Sequence, residues 1–273
     1  MRDTGTKVSV NLKSPEDIEG MRVAGRLASE LLDYLTPHVK PGVKTGEIND
    51  LAHAYMVDVQ KTVPATLNYA PPGHLPYPAS LCTSVNHVVC HGIPGDKKLK
   101  DGDIVNIDVT VIKDGYHGDT SRMFHAGKTS IQAKRLSDIT YEAMWRGIAA
   151  VRPGAHLGDI GATIQRFAET HGYSIVREFC GHGIGRQFHE EPQVLHYGRA
   201  GTGLKLQPGM IFTIEPMVNA GRPGIRCLAD GWTIVTADHS LSAQWEHTVL
   251  VTAEGYEVLT VSDGSPPPPA LAA

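Results

Sequence analysis

Two aspartates on neighbouring strand patterns are the side chains best suited to chemistry in this sequence. Asp108 interrupts the apolar run 104–112, and Asp119 follows Asp114-Gly115, a strong signal for a two-residue hairpin turn. With that turn, the predicted register places the two carboxylates on one sheet face as diagonal neighbours, with about 7–8 Å between their backbone positions. Burying two unpaired carboxylates together is unfavourable. A divalent cation between them would remove that cost.

Three further residues complete an oxygen-rich set of candidate metal ligands. Glu215 ends the apolar strand 210–214, and Glu246 enters a strand pattern at 244–251. His182 lies between glycines, which allow close backbone approach and leave its imidazole facing a cleft. Four carboxylates and one imidazole suit Mn²⁺, Fe²⁺, Co²⁺ or Zn²⁺, and the carboxylate count favours two ions that share ligands. Ions about 3.5–4 Å apart activate a bridging water and polarise a carbonyl group.

An internal repeat places these acids in equivalent positions. Glu215 occupies in the second copy the place that Asp108 occupies in the first. We therefore expect two structurally similar halves, roughly 12–125 and 130–260, packed as one body. The matching segments are 39–48 with 151–160, 99–108 with 206–215, and His91-Gly92-Ile93 with His182-Gly183-Ile184.

Helical and strand patterns alternate around this repeat. Ser14 caps a first helix with Pro15 at its first position, and the apolar spacing continues until Pro37. Residues 46–60 predict a second helix, and the proline-rich stretch 63–80 predicts a long loop. Further predicted helices cover 131–150 and 157–171, and predicted strands lie near 174–180, 188–197, 210–219, 232–236 and 244–251.

Composition limits the class of protein. With 41% apolar and 20% charged residues, the 273-residue chain is not wholly disordered, and its net charge of −4 argues against a nucleic-acid-binding face. No apolar stretch is long enough for a membrane span and no signal core opens the chain, so we predict a cytoplasmic protein. We expect an N-terminal arm at 1–11, one catalytic domain at 12–262, and a disordered tail at 263–273.

Most of the fourteen histidines lack the spacing of metal ligands, and we interpret them as structural. His247 adjoins Glu246 but points to the opposite face of its strand. The four cysteines are too scattered for a disulfide framework or a zinc site. The histidines interpreted as structural are His38, His53, His74, His87, His117, His125, His156, His171, His196, His239 and His247.

Taken together, the motifs resemble those of type I methionine aminopeptidases over residues 12–260. The resemblance implies an α+β pita-bread fold, in which pseudo-twofold halves form a curved antiparallel sheet backed by helices. Glu215 lies only 33 positions after His182, which leaves no room for the helical insert of type II enzymes. The motifs are Cys90-His91-Gly92-Ile93-Pro94, the block from Asp101 to Thr120, Gly181-His182-Gly183-Ile184-Gly185, Thr213-Ile214-Glu215-Pro216-Met217 and Ser242 to Thr248.

By matched position, the resemblance also implies roles for individual residues. His91 would bond the scissile amide nitrogen, His189 would contact the substrate carbonyl, and Glu215 would move a proton from the activated water. Two ions of Co, Mn, Fe, Zn or Ni would be held, with Asp119 and Glu246 as bridging ligands. The implied metal ligands are Asp108, Asp119, His182, Glu215 and Glu246, and the implied methionine pocket contains Tyr77, Cys82, Phe188 and Trp232.

The implied reaction is hydrolytic removal of the N-terminal methionine from nascent proteins whose second residue is small. Nascent N-termini are the implied partners, and ribosome association is implied without a motif of its own. We expect a monomer that binds neither membrane nor nucleic acid.

The sequence departs from the family pattern in one place, and two alternatives remain open. The segment 69–77 is several residues longer than usual, and His74 stands where an aromatic pocket residue is common. One alternative is another pita-bread peptidase, a prolidase or aminopeptidase P, although these usually carry an additional N-terminal domain. The other is a relative that has lost its metals and binds RNA or a protein partner. The presence of all five ligands argues against that second alternative.

Overall fold

The computed structural model describes residues 9–271, which form four α-helices and fifteen strands. The helices are α1 (Pro15–Leu35), α2 (Thr45–Ala54), α3 (Ile131–Ala149) and α4 (Leu157–Thr170). The strands of the first part of the chain are β1 (Val63–Pro64), β2 (Cys82–Val85), β3 (Val88–Cys90), β4 (Ile104–Lys113) and β5 (Tyr116–His125). Those of the second part are β6 (Ser174–Ile175), β7 (Gly181–Gly183), β8 (Glu190–Val194), β9 (Ile211–Ile214), β10 (Met217–Asn219), β11 (Ile225–Cys227), β12 (Ile234–Thr236), β13 (Ser242–Gln244), β14 (His247–Val251) and β15 (Tyr256–Val258).

The start of α1 confirms the predicted capping box. The Ser14 hydroxyl accepts a hydrogen bond from the Asp17 backbone, and the Asp17 carboxylate accepts one from the Ser14 backbone. Pro15 occupies the first helical position, where a missing N–H leaves no bond unmade. The second predicted helix, 46–60, is α2 followed by a wider π-helical turn at Tyr55–Gln60.

The hairpin of β4 and β5 has the predicted register. Asp114 and Gly115 both have positive φ, at 51° and 84°, as a tight two-residue turn requires. Thr110 lies opposite Asp119, and Asp108 lies opposite Ser121. β4 also pairs with β1 and β2, so Asp108 lies on a central strand covered by α1.

In the second half, a long strand pairing is interrupted at its middle. β9 pairs with β14, and β10 pairs with β13, but Glu215-Pro216 and Trp245-Glu246 separate the two ladders. The continuous strands predicted at 210–219 and 244–251 are therefore wrong at these positions, in part because Pro216 has no N–H to donate to a ladder. The other predicted strands are shorter than expected and correspond to β6, β8 and β12.

The sequence repeat is matched by equivalent backbone hydrogen bonds in the two halves. Gly42 N–H donates to Leu99 O at 2.7 Å in the first half, and Gly154 N–H donates to Leu206 O at 2.9 Å in the second. The return bonds, from Leu99 N–H to Val43 O and from Leu206 N–H to Ala155 O, are also equivalent. The two halves thus share one local architecture, which supports the pseudo-twofold fold.

Two large apolar clusters form the core, one in each half. The first lies beneath α1, α2 and β4, and the second lies between α3, α4, β9 and β14. A smaller cluster of Met21, Tyr116, Ile184 and Ile211 joins them. None of the helices within residues 9–271 is long and apolar enough to cross a membrane.

The two chain ends are described only in part. Of the predicted arm at 1–11, residues 1–8 lie outside the described residues, as do 272–273 of the tail. The described part of the tail contacts the body of the protein, because the Tyr141 hydroxyl donates to Pro266 O at 2.7 Å and Arg122 donates to Gly264 O at 3.4 Å. The disorder that composition predicts for 263–273 stays a prediction.

Candidate active site

A cavity of about 970 Å³ receives side chains from both halves of the chain. Every residue that the sequence proposed for a metal, catalytic or pocket role lines it. These residues are Asp108, Asp119, His182, Glu215, Glu246, His91, His189, Tyr77, Cys82, Phe188 and Trp232.

Three of the candidate metal ligands lie close together and are buried. Asp119 on β5, His182 on β7 and Glu246 just before β14 each offer one ligand atom, and these atoms all lie within 4.8 Å of one another. Glu215 is beside them, with its Oε1 3.7 Å from His182 Nε2. Asp108 lines the same cavity from β4.

His182 is held in the form that can bind a metal. Its Nδ1–H donates to the backbone carbonyl of Gly183 at 2.9 Å, so the lone pair of the neutral ring lies on Nε2. That nitrogen lies 3.6 Å from Asp119 Oδ2 and faces the carboxylates. Burial and, to a smaller degree, His189 lower the pKa of His182 to about 3, which keeps the ring neutral.

The predicted reason for the glycines on either side of His182 is confirmed. A side chain at Gly181 would place its Cβ 2.3 Å from Thr213 O, and one at Gly183 would place it 2.2 Å from Glu191 O. Only glycine therefore allows β7 to pack this closely between its two neighbours.

The four carboxylates lie close together on one cavity wall, where Asp119 and Glu246 are buried and Asp108 and Glu215 are partly buried. Burial raises the pKa of Asp108 to about 7. Burial and the charge of Asp108 raise the pKa of Asp119, and burial and the charge of Asp119 raise those of Glu215 and Glu246. Glu246 Oε2 also lacks a hydrogen-bond partner among residues 9–271. A divalent cation would supply the missing positive charge and the missing partner, so these residues fit a metal.

Two threonines that the sequence reasoning missed orient these carboxylates. The Thr110 hydroxyl donates to Asp119 Oδ1 at 2.8 Å, and the Thr213 hydroxyl donates to Glu215 Oε1 at 2.7 Å. Thr213 also accepts the backbone N–H of His182 at 2.9 Å. The signals were available, because Thr110 is the predicted cross-strand partner of Asp119 and Thr213 lies two residues before Glu215.

Two more buried polar residues hold Glu215. Gln244 Nε2 donates to Glu215 Oε2 at 3.3 Å, and His196 Nε2 accepts the Glu215 backbone N–H at 3.0 Å. His196 was interpreted as structural, and it is buried and distant in sequence from its partner, so spacing gave no signal. His247 bonds Thr260 Oγ1 through Nδ1 at 2.9 Å and packs on Trp145, as a structural histidine would.

The candidate catalytic histidines are neutral at physiological pH. Burial, together with the neighbouring His189, lowers the pKa of His91 to about 4. His189 as a residue is exposed, but the protein around its ring, together with His117, lowers its pKa to about 4. The His189 ring lies 4.2 Å from the ring of His182, so this histidine is next to the candidate metal centre. Neutral imidazoles can each donate one hydrogen bond and accept another.

The predicted methionine pocket forms an apolar cluster beside these groups. Tyr77, Cys82 and Trp232 pack together, and the rings of Tyr77 and Trp232 meet edge to face at 5.2 Å. The Tyr77 hydroxyl donates to Gly92 O at 3.0 Å, so its polar end is satisfied. Phe188 lines the cavity outside that cluster and contacts Tyr69 with ring centres 5.0 Å apart.

The long loop at 69–77 closes on itself at its base and rests on the other half of the molecule. Asn68 N–H donates to Tyr77 O and Tyr77 N–H donates to Tyr69 O, both at 2.8 Å. Farther out, Trp232 Nε1–H donates to Leu75 O at 3.0 Å, and the His74 ring lies 5.3 Å from that of Trp232. His74, interpreted as structural, lines the cavity.

Comparison with known proteins agrees with this geometry. Residues 19–253 match the model of metallopeptidase family M24. Methionine aminopeptidase of Escherichia coli K12 is 58% identical over 255 residues, which cover 93% of this chain and 95% of that protein. The chain belongs to metallopeptidase family M24 and, within it, to the methionine aminopeptidases. It is accordingly a metal-dependent hydrolase with the pita-bread fold.

Solved structures show which relatives share only the fold with this chain and which are also similar in sequence. The crystal structure of methionine aminopeptidase from Rickettsia prowazekii superposes with a TM-score of 0.89 at 55% identity and covers 93% of this chain and 100% of its own. A prolidase from Pyrococcus furiosus has a TM-score of 0.72 at 21% identity, and the match covers 92% of this chain and 66% of the prolidase. The prolidase shares the fold alone.

Proposed function

We propose that this chain hydrolyses the peptide bond that follows an N-terminal methionine, with two divalent ions held by Asp108, Asp119, His182, Glu215 and Glu246. Asp119 and Glu246 are the bridging ligands in this proposal. The observation that carries it is that five potential metal ligands from both halves and an apolar cluster line one cavity. Bound ions would supply an activated water and polarise the scissile carbonyl.

Glu215 transfers a proton, and His91 and His189 form hydrogen bonds with the substrate. Glu215 is oriented by Thr213, and its carboxylate can take up a proton from the attacking water. His189 donates to the carbonyl oxygen of the substrate as negative charge develops there. His91 bonds the scissile amide nitrogen and assists the departure of the new N-terminus.

The pocket of Tyr77, Cys82, Phe188 and Trp232 accounts for the choice of methionine. Aromatic and sulfur-containing walls bind a thioether well, because the polarisable sulfur makes favourable contacts with aromatic rings. A small second residue on the substrate is part of the proposal, as is a role on nascent chains. We further propose a cytoplasmic monomer that works near the ribosome, with the ion chosen from Co, Mn, Fe, Zn or Ni by availability.

A peptide panel tests the proposed function. The protein is treated with EDTA, divided, and reloaded separately with each ion before Met-Ala-Ser, Met-Arg-Ser, Leu-Ala-Ser and Ala-Pro-Ser are added. We expect hydrolysis of Met-Ala-Ser alone, and only after reloading. Cleavage of Ala-Pro-Ser without cleavage of Met-Ala-Ser would replace the proposal with a proline-specific peptidase.

A further inference from the structure

Tyr69 joins the base of the long loop to a candidate catalytic histidine. Its hydroxyl oxygen lies 2.8 Å from Nδ1 of His189, and the two ring planes are inclined at 28° with centres 5.2 Å apart. Within residues 9–271, this is the hydrogen bond that the His189 ring makes. The sequence reasoning assigned no role to Tyr69, which lies 120 residues from its partner.

The direction of this hydrogen bond decides what His189 can do. A neutral imidazole carries one ring proton, on either Nδ1 or Nε2. If Nδ1–H donated to the tyrosine oxygen, Nε2 would carry only a lone pair and could not donate to a carbonyl. If the tyrosine donates, Nδ1 is the acceptor and the ring proton is on Nε2.

We propose that Tyr69 is a positioning residue for His189: its hydroxyl donates to Nδ1, orients the ring and keeps the ring proton on Nε2. This inference rests on the proposed function, in which His189 donates to the substrate carbonyl. Correct tautomer and orientation matter here because a donor stabilises developing negative charge only when it is already aimed at it.

The loop itself explains why Tyr69 keeps this place. The paired backbone bonds among Asn68, Tyr69 and Tyr77 close the loop at its base, so the additional residues extend outward from a fixed start. The Tyr69 ring also packs on Phe188, the residue before His189. Tyr69 is therefore held by backbone bonds on one side and ring contacts on the other, independently of how 70–76 are arranged.

Tyr69 has a second contact that the experiment must separate from the first. It packs against the apolar cluster of Tyr77, Cys82 and Trp232, so a truncated side chain would change the pocket as well. Tyr69→Phe keeps the ring and removes only the hydroxyl. Tyr197→Phe is the matched control, because Tyr197 lies under Arg177 and does not line the cavity.

Kinetics on Met-Ala-Ser test the positioning role. We expect Tyr69→Phe to lower kcat by about tenfold with less than a twofold change in KM, the size of one lost hydrogen bond that acts in the transition state. In a His189→Ala background, the same substitution should change kcat less than about twofold, because its partner is gone. An equal loss in both backgrounds, or a loss confined to KM, would overturn the proposal. Tyr197→Phe should match the wild type.

A second readout does not depend on turnover. The full chain is loaded with diamagnetic Zn²⁺, and the imidazole nitrogens are observed by ¹⁵N NMR, with the His189 signals identified by their loss in His189→Ala. We expect an Nε2–H tautomer in the wild type and a mixture in Tyr69→Phe. An Nδ1–H tautomer in the wild type would overturn the inference. If instead the tautomer is as expected and no methionine peptide is cleaved, the proposed function fails and the placement of the proton stands.

Discussion

The two halves of this molecule supply equivalent acids by different means. In the first half, Asp108 and Asp119 lie on strands joined by a two-residue turn, so their relative placement is fixed within one hairpin. In the second half, Glu215 directly follows β9 and Glu246 directly precedes β14, and β10 to β13 separate the two residues in sequence. Both acids of that half fall in the gap between two ladders. A shared chemistry thus rests on local register on one side and on long-range packing on the other.

The largest expected effect comes from neutralising one acid in each half. Asp119→Asn and Glu246→Gln should each lower kcat/KM on Met-Ala-Ser by more than about 10²-fold, beyond the loss typical of residues that only orient a ligand. The physical reason is that each removes a negative ligand from the three-residue cluster. Metal content measured after dialysis should fall in both.

Asp138→Asn is the control for that pair, since Asp138 forms an exposed ion pair with Lys134. It should leave activity and metal content unchanged. Full activity in either Asp119→Asn or Glu246→Gln would show that its half of the molecule does not contribute to the centre.

The two supporting threonines allow a finer comparison of the halves. Thr110→Val removes one hydrogen bond to Asp119, whereas Thr213→Val removes one to Glu215 and leaves the buried N–H of His182 without its acceptor. We expect metal affinity, measured by calorimetry, to fall a few-fold for Thr110→Val and by about 10- to 100-fold for Thr213→Val. Equal losses of metal affinity in the two variants would contradict this difference. They would show that Thr213 and Thr110 support their carboxylates to the same extent.

Measurements of stability test whether the two equivalent turns, at Gly42 and Gly154, contribute equally to the free energy of unfolding. Gly42 and Gly154 have φ of 92° and 84°, and an added Cβ would meet no atom closer than 3.9 Å at either position. Gly42→Ala and Gly154→Ala should therefore each lower the free energy of unfolding by about 1–2 kcal/mol, the cost of a left-handed backbone for alanine. Urea unfolding measures this loss of stability. Gly255→Ala is the control, because the backbone at Gly255 is not in the left-handed region. A difference of several-fold between the two turns would contradict their equivalence.

The smallest expected effect on stability comes from substituting the acids that cap the N-termini of α2 and α4. Within residues 9–271, Glu47 accepts only the Lys44 N–H, whereas Asp159 accepts both His156 N–H at 2.8 Å and Gly201 N–H at 2.7 Å. Asp159→Asn should cost more than Glu47→Gln, with both near or below about 1 kcal/mol in the free energy of unfolding.

The cap at Asp159 also has a defined pH dependence. The backbone hydrogen bonds from His156 and Gly201 lower the pKa of Asp159 below its ordinary value of 3.8. Its stabilising contribution is therefore present above that value and is lost as the pH falls through the lowered pKa. The stability difference between wild type and Asp159→Asn should shrink between pH 6 and pH 3. A difference that stays constant over this range would contradict the role of the charge.

The comparison of the halves also explains what the sequence could predict. The register of β4 and β5 followed from a turn signal and alternation, and it was confirmed residue by residue. The gap at Glu215-Pro216 was not predicted, although Pro216 is a local signal against a continuous strand. The matching gap at Trp245-Glu246 depends on pairing with a strand about thirty residues away and has no such signal. The family resemblance supplied the roles of His91 and His189, which spacing alone did not reveal.

The residues that hold the candidate site residues in place were the hardest to predict from the sequence. Tyr69, His196 and Gln244 each reach their partner across a long stretch of chain, and their sequence neighbours do not distinguish them from ordinary core or loop residues. The packing of the long loop on Trp232 depends on a contact over 157 residues. The contacts of Tyr69 and Trp232 cross between the two halves, whereas those of His196 and Gln244 form within the second half, and neither kind leaves a local sequence pattern.

Asp108→Ala tests most directly the central claim that ligands from both halves hold metal for methionine removal. Asp108 lies on the first-half strand β4 and lines the cavity without belonging to the tight cluster of Asp119, His182 and Glu246. Metal content and Met-Ala-Ser hydrolysis are measured together for the wild type and the variant. We predict that the wild type binds divalent metal and cleaves the peptide, and that Asp108→Ala loses metal and activity in parallel. A wild type that binds no divalent metal and cleaves nothing, or an Asp108→Ala variant that retains both, would contradict the claim.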